Sequence, residues 1–436
     1  MKFEKICVLG LGYIGLPTAS TFATHGLRVV GVDIDPNVIS TLQNGGLHIH
    51  EPGLRMLVRE ALSSGNLTVS EQPEPADAFI IAVPTPFYED KHGTYKGQSY
   101  RLADMRAVTA ATESIIPHLQ KGNLVVLEST SPPRTTIDMV KPILERSGLS
   151  AGLDFHLAYS PERVLPGQIL RELIENARVI GGIDKPSSLA GRDLYAHFVQ
   201  GEIILSDATT AEMVKLMENT YRDVNIAIAN EFAQLAERFG VDVWEAIAIA
   251  NRHPRVNILK PGPGVGGHCI SVDPWFFVEA APDRTALIYS ARHINDDQPK
   301  FVVNLVKSAI GEDLSGKRIA ALGLAYKPDV DDLRESPAIE VARLLAESGA
   351  QVKAYEPFKT DARISGVETE PTLGAAIADA DLLLLLVGHR ELKDLDPSQI
   401  LSLTPARLAV DTVGGWESKT WGEAGIKVYR LGVGLR

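Results

Sequence analysis

Cysteine is scarce: the 436 residues contain only Cys7 and Cys269. That count excludes a disulfide framework and suits a reducing compartment, and no zinc-type Cys/His spacing is present, so no metal centre is expected. Long apolar runs are also lacking. Residues 382–387 make one of the longest, far too short to cross a bilayer, so no membrane partner is expected. Positive charge is outnumbered, with Lys+Arg 43 against Asp+Glu 55 for a net −12, which argues against general nucleic-acid affinity. Met1-Lys2-Phe3-Glu4-Lys5 runs into a strand pattern without the apolar core of a signal peptide, so a cytoplasmic protein is expected. What remains is globular: apolar content is 45%, charged content 22%, and the length calls for two or three domains.

The stretch 261–276, Pro-Gly-Pro-Gly-Val-Gly-Gly-His-Cys-Ile-Ser-Val-Asp-Pro-Trp-Phe, concentrates the chemistry. Gly262, Gly264, Gly266 and Gly267 allow a backbone that approaches a ligand closely. The loop delivers Cys269, with His268 beside it and Asp273 four residues on. A thiol becomes a nucleophile when a cation, a base or oriented N–H groups lower its pKa. The alternative is a glycine-rich turn ending in a packed cysteine.

At the N-terminus, Ile6-Cys7-Val8-Leu9 reads as a buried strand on which Cys7 is packing. Gly10-Leu11-Gly12-Tyr13-Ile14-Gly15 and a helix to about residue 25 follow, then a strand ending at Asp33. This is the dinucleotide fingerprint in its required context: Gly10 turns, Gly12 admits the pyrophosphate, Gly15 lets helix and strand pack, and Asp33 takes the ribose hydroxyls. Asp33 and Asp35 disfavour a 2′-phosphate, so the cofactor expected is NAD. Further strands at 78–83 and 124–127 end near Thr85 and Thr130, which either face the cofactor crevice or cap helices. Residues 87–101 read as a surface loop, and strands follow at 155–159 and 177–182.

Thr209 and Glu212 form a capping-box pattern, and no Gly or Pro interrupts the chain until Gly240. A helix of about 30 residues would bridge two lobes. Met213, Leu216, Met217, Thr220, Val224, Ile228, Phe232, Leu235 and Phe239 form its apolar stripe, a candidate dimer surface. Lys215 and Asn219 share one face; a solvated lysine is the plainer reading of the first. From about residue 317 a second α/β unit begins, with one glycine left of a fingerprint in Gly323-Leu324-Ala325-Tyr326-Lys327-Pro328. Lys327 and Arg334 suit a phosphorylated ligand other than a dinucleotide, or ion pairs with Asp329, Asp331 and Asp332. The expected fold is α/β, two Rossmann-like doubly wound lobes joined by a long central helix. The expected domains are 1–205, 206–312 and 313–436.

Together these motifs resemble the UDP-glucose/GDP-mannose dehydrogenase family over essentially the whole chain, and most closely its bacterial UDP-N-acetyl-D-mannosamine 6-dehydrogenase branch. The resemblance is carried by Gly10 to Pro17, Val83-Pro84-Thr85-Pro86-Phe87, Glu128-Ser129-Thr130-Ser131-Pro132 and Pro161-Glu162-Arg163-Val164-Leu165-Pro166-Gly167. It continues through Lys215 to Thr220, Arg222 to Ile226, Asn251 to Leu259, Gly264 to Cys269, and Lys327-Pro328 with Asp331 to Pro337.

The resemblance implies oxidation of a sugar C6 alcohol to the carboxylate with two NAD and one water. It makes Cys269 the nucleophile forming a thiohemiacetal and then a thioester. Lys215 and Asn219 would stabilise the oxyanion, and Asp273, Thr130 and Glu162 would position or deprotonate water. Gly10, Gly12, Tyr13, Ile14, Gly15, Asp33, Thr85 and Thr130 would bind NAD. Arg163, Val164, Lys215, Asn219, Gly266, Lys327 and Arg334 would contact the UDP-sugar, with Arg252 or Arg255 reaching the site of a second subunit in a homodimer.

Val272 stands where the UDP-glucose branch usually has Lys, and Pro166-Gly167 where it often has another acid, which favours an N-acetylated sugar. Pro133-Arg134 replaces an expected Val-Gly near Thr130. UDP-N-acetyl-D-glucosamine is the alternative substrate. A two-electron NAD-dependent hydroxyacid dehydrogenase would need no Cys269, and a non-enzymatic nucleotide-sugar sensor neither Lys215 nor Cys269.

Overall fold

The computed structural model describes residues 1–165, 167–267 and 269–434. Pro166 and His268, both singled out above, lie outside the described residues. The chain forms two compact units, one of Met1–Glu218 with Phe276–Arg284, the other of Asn219–Trp275 with Thr285–Arg436.

The first unit is built on an eight-stranded sheet. Its strands are β1 (Lys5–Leu9), β2 (Arg28–Val32), β3 (Leu67–Ser70), β4 (Ala78–Ile81), β7 (Leu124–Leu127), β8 (His156–Tyr159), β9 (Arg178–Gly182) and β10 (Ile203–Asp207). Their order is β10-β9-β8-β7-β4-β1-β2-β3, parallel except where β9 meets β8. The strands read as continuous apolar runs because helices cover both faces. Ile6, Cys7, Val8 and Ile80 are fully buried. Burial pushes the Cys7 thiol up to about 12, in keeping with a packing role. Strand order reverses between β1 and β4, and that switch point creates the crevice into which the first glycine turn opens.

Residues 87–101 are not the loop expected. They form most of an antiparallel hairpin, β5 (Phe87–Tyr95) and β6 (Gln98–Ala103). Its polar residues hide the strands in the sequence, although Phe87, Tyr95 and Tyr100 are only partly exposed. Gly97 in the turn takes the positive φ (80°) that a tight hairpin needs.

The second unit carries a six-stranded parallel sheet of β11 (Arg318–Leu322), β12 (Gln351–Tyr355), β13 (Glu368–Thr369), β14 (Leu382–Leu385), β15 (Leu408–Asp411) and β16 (Lys427–Arg430). Its order is β13-β12-β11-β14-β15-β16, again reversing beside the first strand. The long central helix, Ala208–Phe239, has 32 residues and spans roughly 48 Å.

The capping box expected at Thr209 and Glu212 does not form. Asp207, immediately before the helix, accepts the Thr210 N–H at 2.9 Å and its hydroxyl at 2.6 Å. Glu212 lies on the buried face, taking the backbone N–H groups of Arg134 (2.5 Å) and Thr136 (2.8 Å). The apolar stripe also needs correction. Leu216 and Thr220 point inward, whereas Met213, Met217, Ile228, Phe232, Leu235 and Phe239 are exposed, with Tyr221 among them. Their steps of three and four residues put them on one outward face.

Candidate active site

In the first unit the glycine turn has the geometry its sequence requires. Gly10 sits at φ 94°, and a Cβ on Gly15 would lie 1.8 Å from the Gly10 carbonyl oxygen, so the third glycine is dictated by packing. Gly12 is exposed, and a Cβ there meets nothing within 4 Å. The helix Gly15–Thr24 starts without a side-chain cap or an acidic first turn. Its N–H groups therefore suit an anion, and the cradle fits a dinucleotide pyrophosphate. Asp33 accepts the Leu11 N–H at 2.9 Å through one oxygen and the Asp35 N–H at 3.0 Å through the other. Tyr13 and Ile14, within the same turn, are half-buried.

Thr85 and Thr130 are brought together and cap no helix: the Thr85 hydroxyl donates to the Thr130 carbonyl at 2.7 Å. Ser129 joins the same two strand ends by donating to the Val83 carbonyl at 2.7 Å. Arg134 takes a φ of 76°, the left-handed conformation that the expected glycine would adopt more easily.

Glu162 follows β8. Because β9 runs antiparallel to β8 with Tyr159 opposite Gly181, its first residue, Arg178, falls beyond the end of β8. There Arg178 donates to Glu162 at 2.8 Å and to the Ser160 hydroxyl at 2.9 Å, and also pairs with Glu128. Tyr195 donates to Glu128 at 2.6 Å and lies under the guanidinium, 3.9 Å from ring centroid to cation. Burial raises the Glu128 carboxyl; Arg178 lowers it and Glu162 raises it again, to about 7. Removing one partner from such a buried pair typically costs about 3–5 kcal/mol.

The sequence reading assigned no role to Glu128, Arg178 or Tyr195. Glu128 sat within a quoted motif, and Arg178 was visible as a charge opening a buried strand. Arg163 is engaged by Glu218 at 2.6 Å and by the Ala177 carbonyl, next to half-buried Val164. Lys215 is half-buried on the central helix.

In the second unit the cysteine loop is held by the inner face of that helix. Asn225 accepts the Leu259 N–H at 2.9 Å and donates to the Asn257 carbonyl at 3.1 Å. Asn230 accepts the Gly262 N–H at 2.9 Å. Farther along, Gly267 (φ 84°) donates to the Arg334 carbonyl at 3.2 Å, and a Cβ on it would lie 2.7 Å from the Tyr326 ring. A Cβ on Gly266 would meet the Glu335 carbonyl oxygen at 2.4 Å, so close interlocking with segment 326–337 explains these glycines.

Cys269 is exposed. Its carbonyl accepts the N–H groups of Val272 (3.1 Å) and Asp273 (2.8 Å), opening the helix Asp273–Ala280. Asp273 is buried and accepts from the Asn219 amide at 2.6 Å, so three expected site residues converge on one turn. Tyr326, which the sequence reading did not single out, is pushed up to about 12, chiefly by burial. Arg252 and Arg255 are exposed. Arg334 forms an ion pair with Asp332 at 2.6 Å, and Lys327 lies over the Tyr326 ring at 5.5 Å.

The second glycine turn is chemically unlike the first. Glu356, at the end of β12, takes the N–H groups of Leu324 (2.6 Å) and Ala325 (2.9 Å), with His389 at 3.1 Å. Burial opposes the ionised carboxylate, but His389 and the Leu324 N–H outweigh it and hold Glu356 below its ordinary value. The turn donors that a pyrophosphate would need are occupied by this carboxylate. Among the described residues no group of three His, Cys, Asp or Glu side chains is placed to hold a metal, and no helix is long and apolar enough to cross a membrane.

Three domain models of the UDP-glucose/GDP-mannose dehydrogenase family match in order: the NAD binding domain at residues 4–199, the central domain at 209–297 and the UDP binding domain at 320–418. The UDP-N-acetyl-D-mannosamine dehydrogenase of Methanocaldococcus jannaschii is 47% identical, covering 99% of this chain and 97% of its own. The NDP-N-acetyl-D-galactosaminuronic acid dehydrogenase of Ralstonia solanacearum is also 47% identical, covering 96% and 98%. Among solved structures, the UDP-N-acetyl-mannosamine dehydrogenase from S. aureus superposes with a TM-score of 0.88 at 46% identity, covering 99% of both chains.

The carboxylates of Asp33 and Asp35 would face the 2′-phosphate of NADP. Like charges about 6 Å apart at an effective dielectric near 20 repel by roughly 3 kcal/mol. Replacing NAD by NADP should therefore lower kcat/KM on the order of 100-fold. Equal kcat/KM for the two cofactors would show that Asp33 does not meet the ribose.

Proposed function

The chain belongs to the UDP-glucose/GDP-mannose dehydrogenase family, and from that premise we propose that it oxidises the C6 alcohol of a UDP-N-acetylhexosamine, foremost UDP-N-acetyl-D-mannosamine, to the uronate. The supporting observation is the exposed Cys269 on a glycine loop, one turn from the buried Asn219–Asp273 pair. Bound NAD supplies the hydride acceptor in each of the two oxidations. The glycine turn Gly10–Gly15 and Asp33 hold its pyrophosphate and ribose, and Thr85 and Thr130 line the crevice.

Cys269 adds as thiolate to the C6 aldehyde, forming a C–S bond. The thiohemiacetal loses a second hydride to become a thioester. Lys215 donates to the developing oxyanion, as does Asn219, whose amide keeps one N–H after bonding Asp273. Water then attacks the thioester carbonyl, its proton passes to Glu162 or Asp273, and the C–S bond breaks with its electron pair returning to sulfur. Arg163, Val164, Gly266, Lys327 and Arg334 bind the nucleotide sugar. The domains 1–205, 206–312 and 313–436 divide cofactor, dimer and UDP-sugar duties. Loss of the second glycine turn's donors to Glu356 supports a nucleotide sugar rather than a second dinucleotide there.

A second reading, an N-acetylhexosamine of another configuration, is favoured by the equally similar galactosaminuronate relative. UDP-N-acetyl-D-glucosamine belongs to the same class. We further propose a homodimer that covers the exposed stripe of the central helix, with Arg252 or Arg255 reaching the partner's substrate.

Three measurements test these assignments. Titration with limiting sugar should yield two NADH per molecule; an end point of one rejects the four-electron reaction. Cys269→Ser should retain binding but lose steady-state turnover by several orders of magnitude, since a serine hydroxyl, with a pKa far above neutrality, is a much weaker nucleophile than a thiol. Cys7→Ser, on the packed strand, should reduce stability instead; near-normal turnover by folded Cys269→Ser protein rejects covalent catalysis. Sedimentation equilibrium should give a dimer, converted to monomer by Phe232→Glu with Leu235→Glu; a wild-type monomer would overturn the assembly.

A further inference from the structure

Arg178 is a buried cation that none of the steps above uses. Its side chain is 5% exposed, and its three nitrogens are directed to Ser160, Glu162 and Glu128. Glu128 is fully buried; one oxygen takes both Arg178 and the Tyr195 hydroxyl, while the other has no hydrogen-bond partner. Among the described residues, the charged or titratable groups facing Glu128 are Arg178 on β9, Tyr195 on the helix Lys185–Tyr195, and Glu162 after β8. Two carboxylates thus share one guanidinium.

We propose that Arg178 is the positioning residue for Glu162, and that Glu128 sets how firmly Glu162 is held in the water step by competing for the same guanidinium. This rests on the assignment of Glu162 to that step. With Glu128 protonated, the charge of Arg178 faces Glu162 alone and holds it fast. When Glu128 ionises, the guanidinium is divided between the two carboxylates and Glu162 is freer to reach the water. The Glu128 carboxyl, raised to about 7 by burial, moves this exchange into the neutral range.

Glu162 also accepts the Arg163 N–H at 2.7 Å, but through its other oxygen, so the two donors hold different oxygens. Glu162 and Arg178 line a cleft with Arg163, Glu172 and Asn176. A purely structural clamp on the strand ends would influence stability, not the pH dependence of hydrolysis.

The test uses the full-length enzyme with NAD and the UDP-N-acetylhexosamine it turns over. It follows the NADH burst and, by intact mass after quenching, the acyl adduct on Cys269. Glu162→Gln should give a burst of two NADH per site and then turnover slowed about 100-fold, with the adduct accumulating. Unimpaired Glu162→Gln turnover overturns the role of Glu162 and the inference with it. In the wild type, adduct decay should accelerate as pH rises through about 7. Glu128→Gln should remove that inflection; an inflection retained in Glu128→Gln overturns the inference alone, leaving Glu162 in place. Tyr195→Phe deletes only the O–H that favours ionised Glu128, so it should move the inflection to higher pH. An unmoved inflection in Tyr195→Phe equally overturns the inference, even should Glu128→Gln fail to fold.

Discussion

A loop that presents a cysteine at an exposed turn has little apolar surface with which to hold itself in place. The loop before Cys269 is fixed instead by hydrogen bonds from Asn225 and Asn230 of the central helix to backbone groups between Asn257 and Gly262. These amides are in turn fixed by a second polar layer. Asn230 donates to Asn295 at 2.9 Å, and Asn295 donates to Asp223 at 2.8 Å, which also pairs with Arg292. Each buried polar group here has another to satisfy, so the layer is costly to disturb at any single member. Beside the loop, the inner helix face therefore carries Asn and Asp among alanines such as Ala227, Ala229 and Ala233, while Ile228, Phe232 and Leu235 are left outside.

The same economy of buried charge recurs at the other expected catalytic residues. Asp273 is buried against an amide, and Glu162 against a guanidinium. Neither is left to solvent, so their orientation is set by the fold and not by side-chain freedom. The two glycine turns show the contrast within one architecture. In the first, Asp33 occupies a single turn N–H and the helix start stays open. In the second, Glu356 takes two N–H groups and is itself held by His389. One strand-end carboxylate, lengthened by a methylene and inserted into the turn, changes what that turn can bind.

Much of this was legible from local pattern. The glycine fingerprint, the helix from about residue 209 to Gly240 and the doubly wound α/β class depend on φ preference, periodicity and right-handed crossovers, all of which act over short stretches of chain. The hairpin at 87–101 was missed because its exposed strands are rich in charged residues, and the capping box because the helix starts at Ala208, which leaves Thr209 inside it and Asp207 at the cap. The helix stripe was read as a candidate dimer surface and most of it is exposed, but Leu216 and Thr220 turn inward, because two apolar faces one residue apart overlap in a 3.6-residue period.

The sequence by itself determined the fold class, the family and the use of NAD, because each is written in residues whose chemistry admits few alternatives, such as glycine at positive φ in the first turn and a carboxylate at a strand end. Only the tertiary structure decided that Arg178 faces both Glu128 and Glu162, that Asn219 donates to Asp273, and that Glu356 closes the second turn. Those pairs join residues distant in sequence, and their energies depend on burial. Desolvation, a property of the assembled core, is what moves Glu128 into the neutral range, and no pattern along the chain records it.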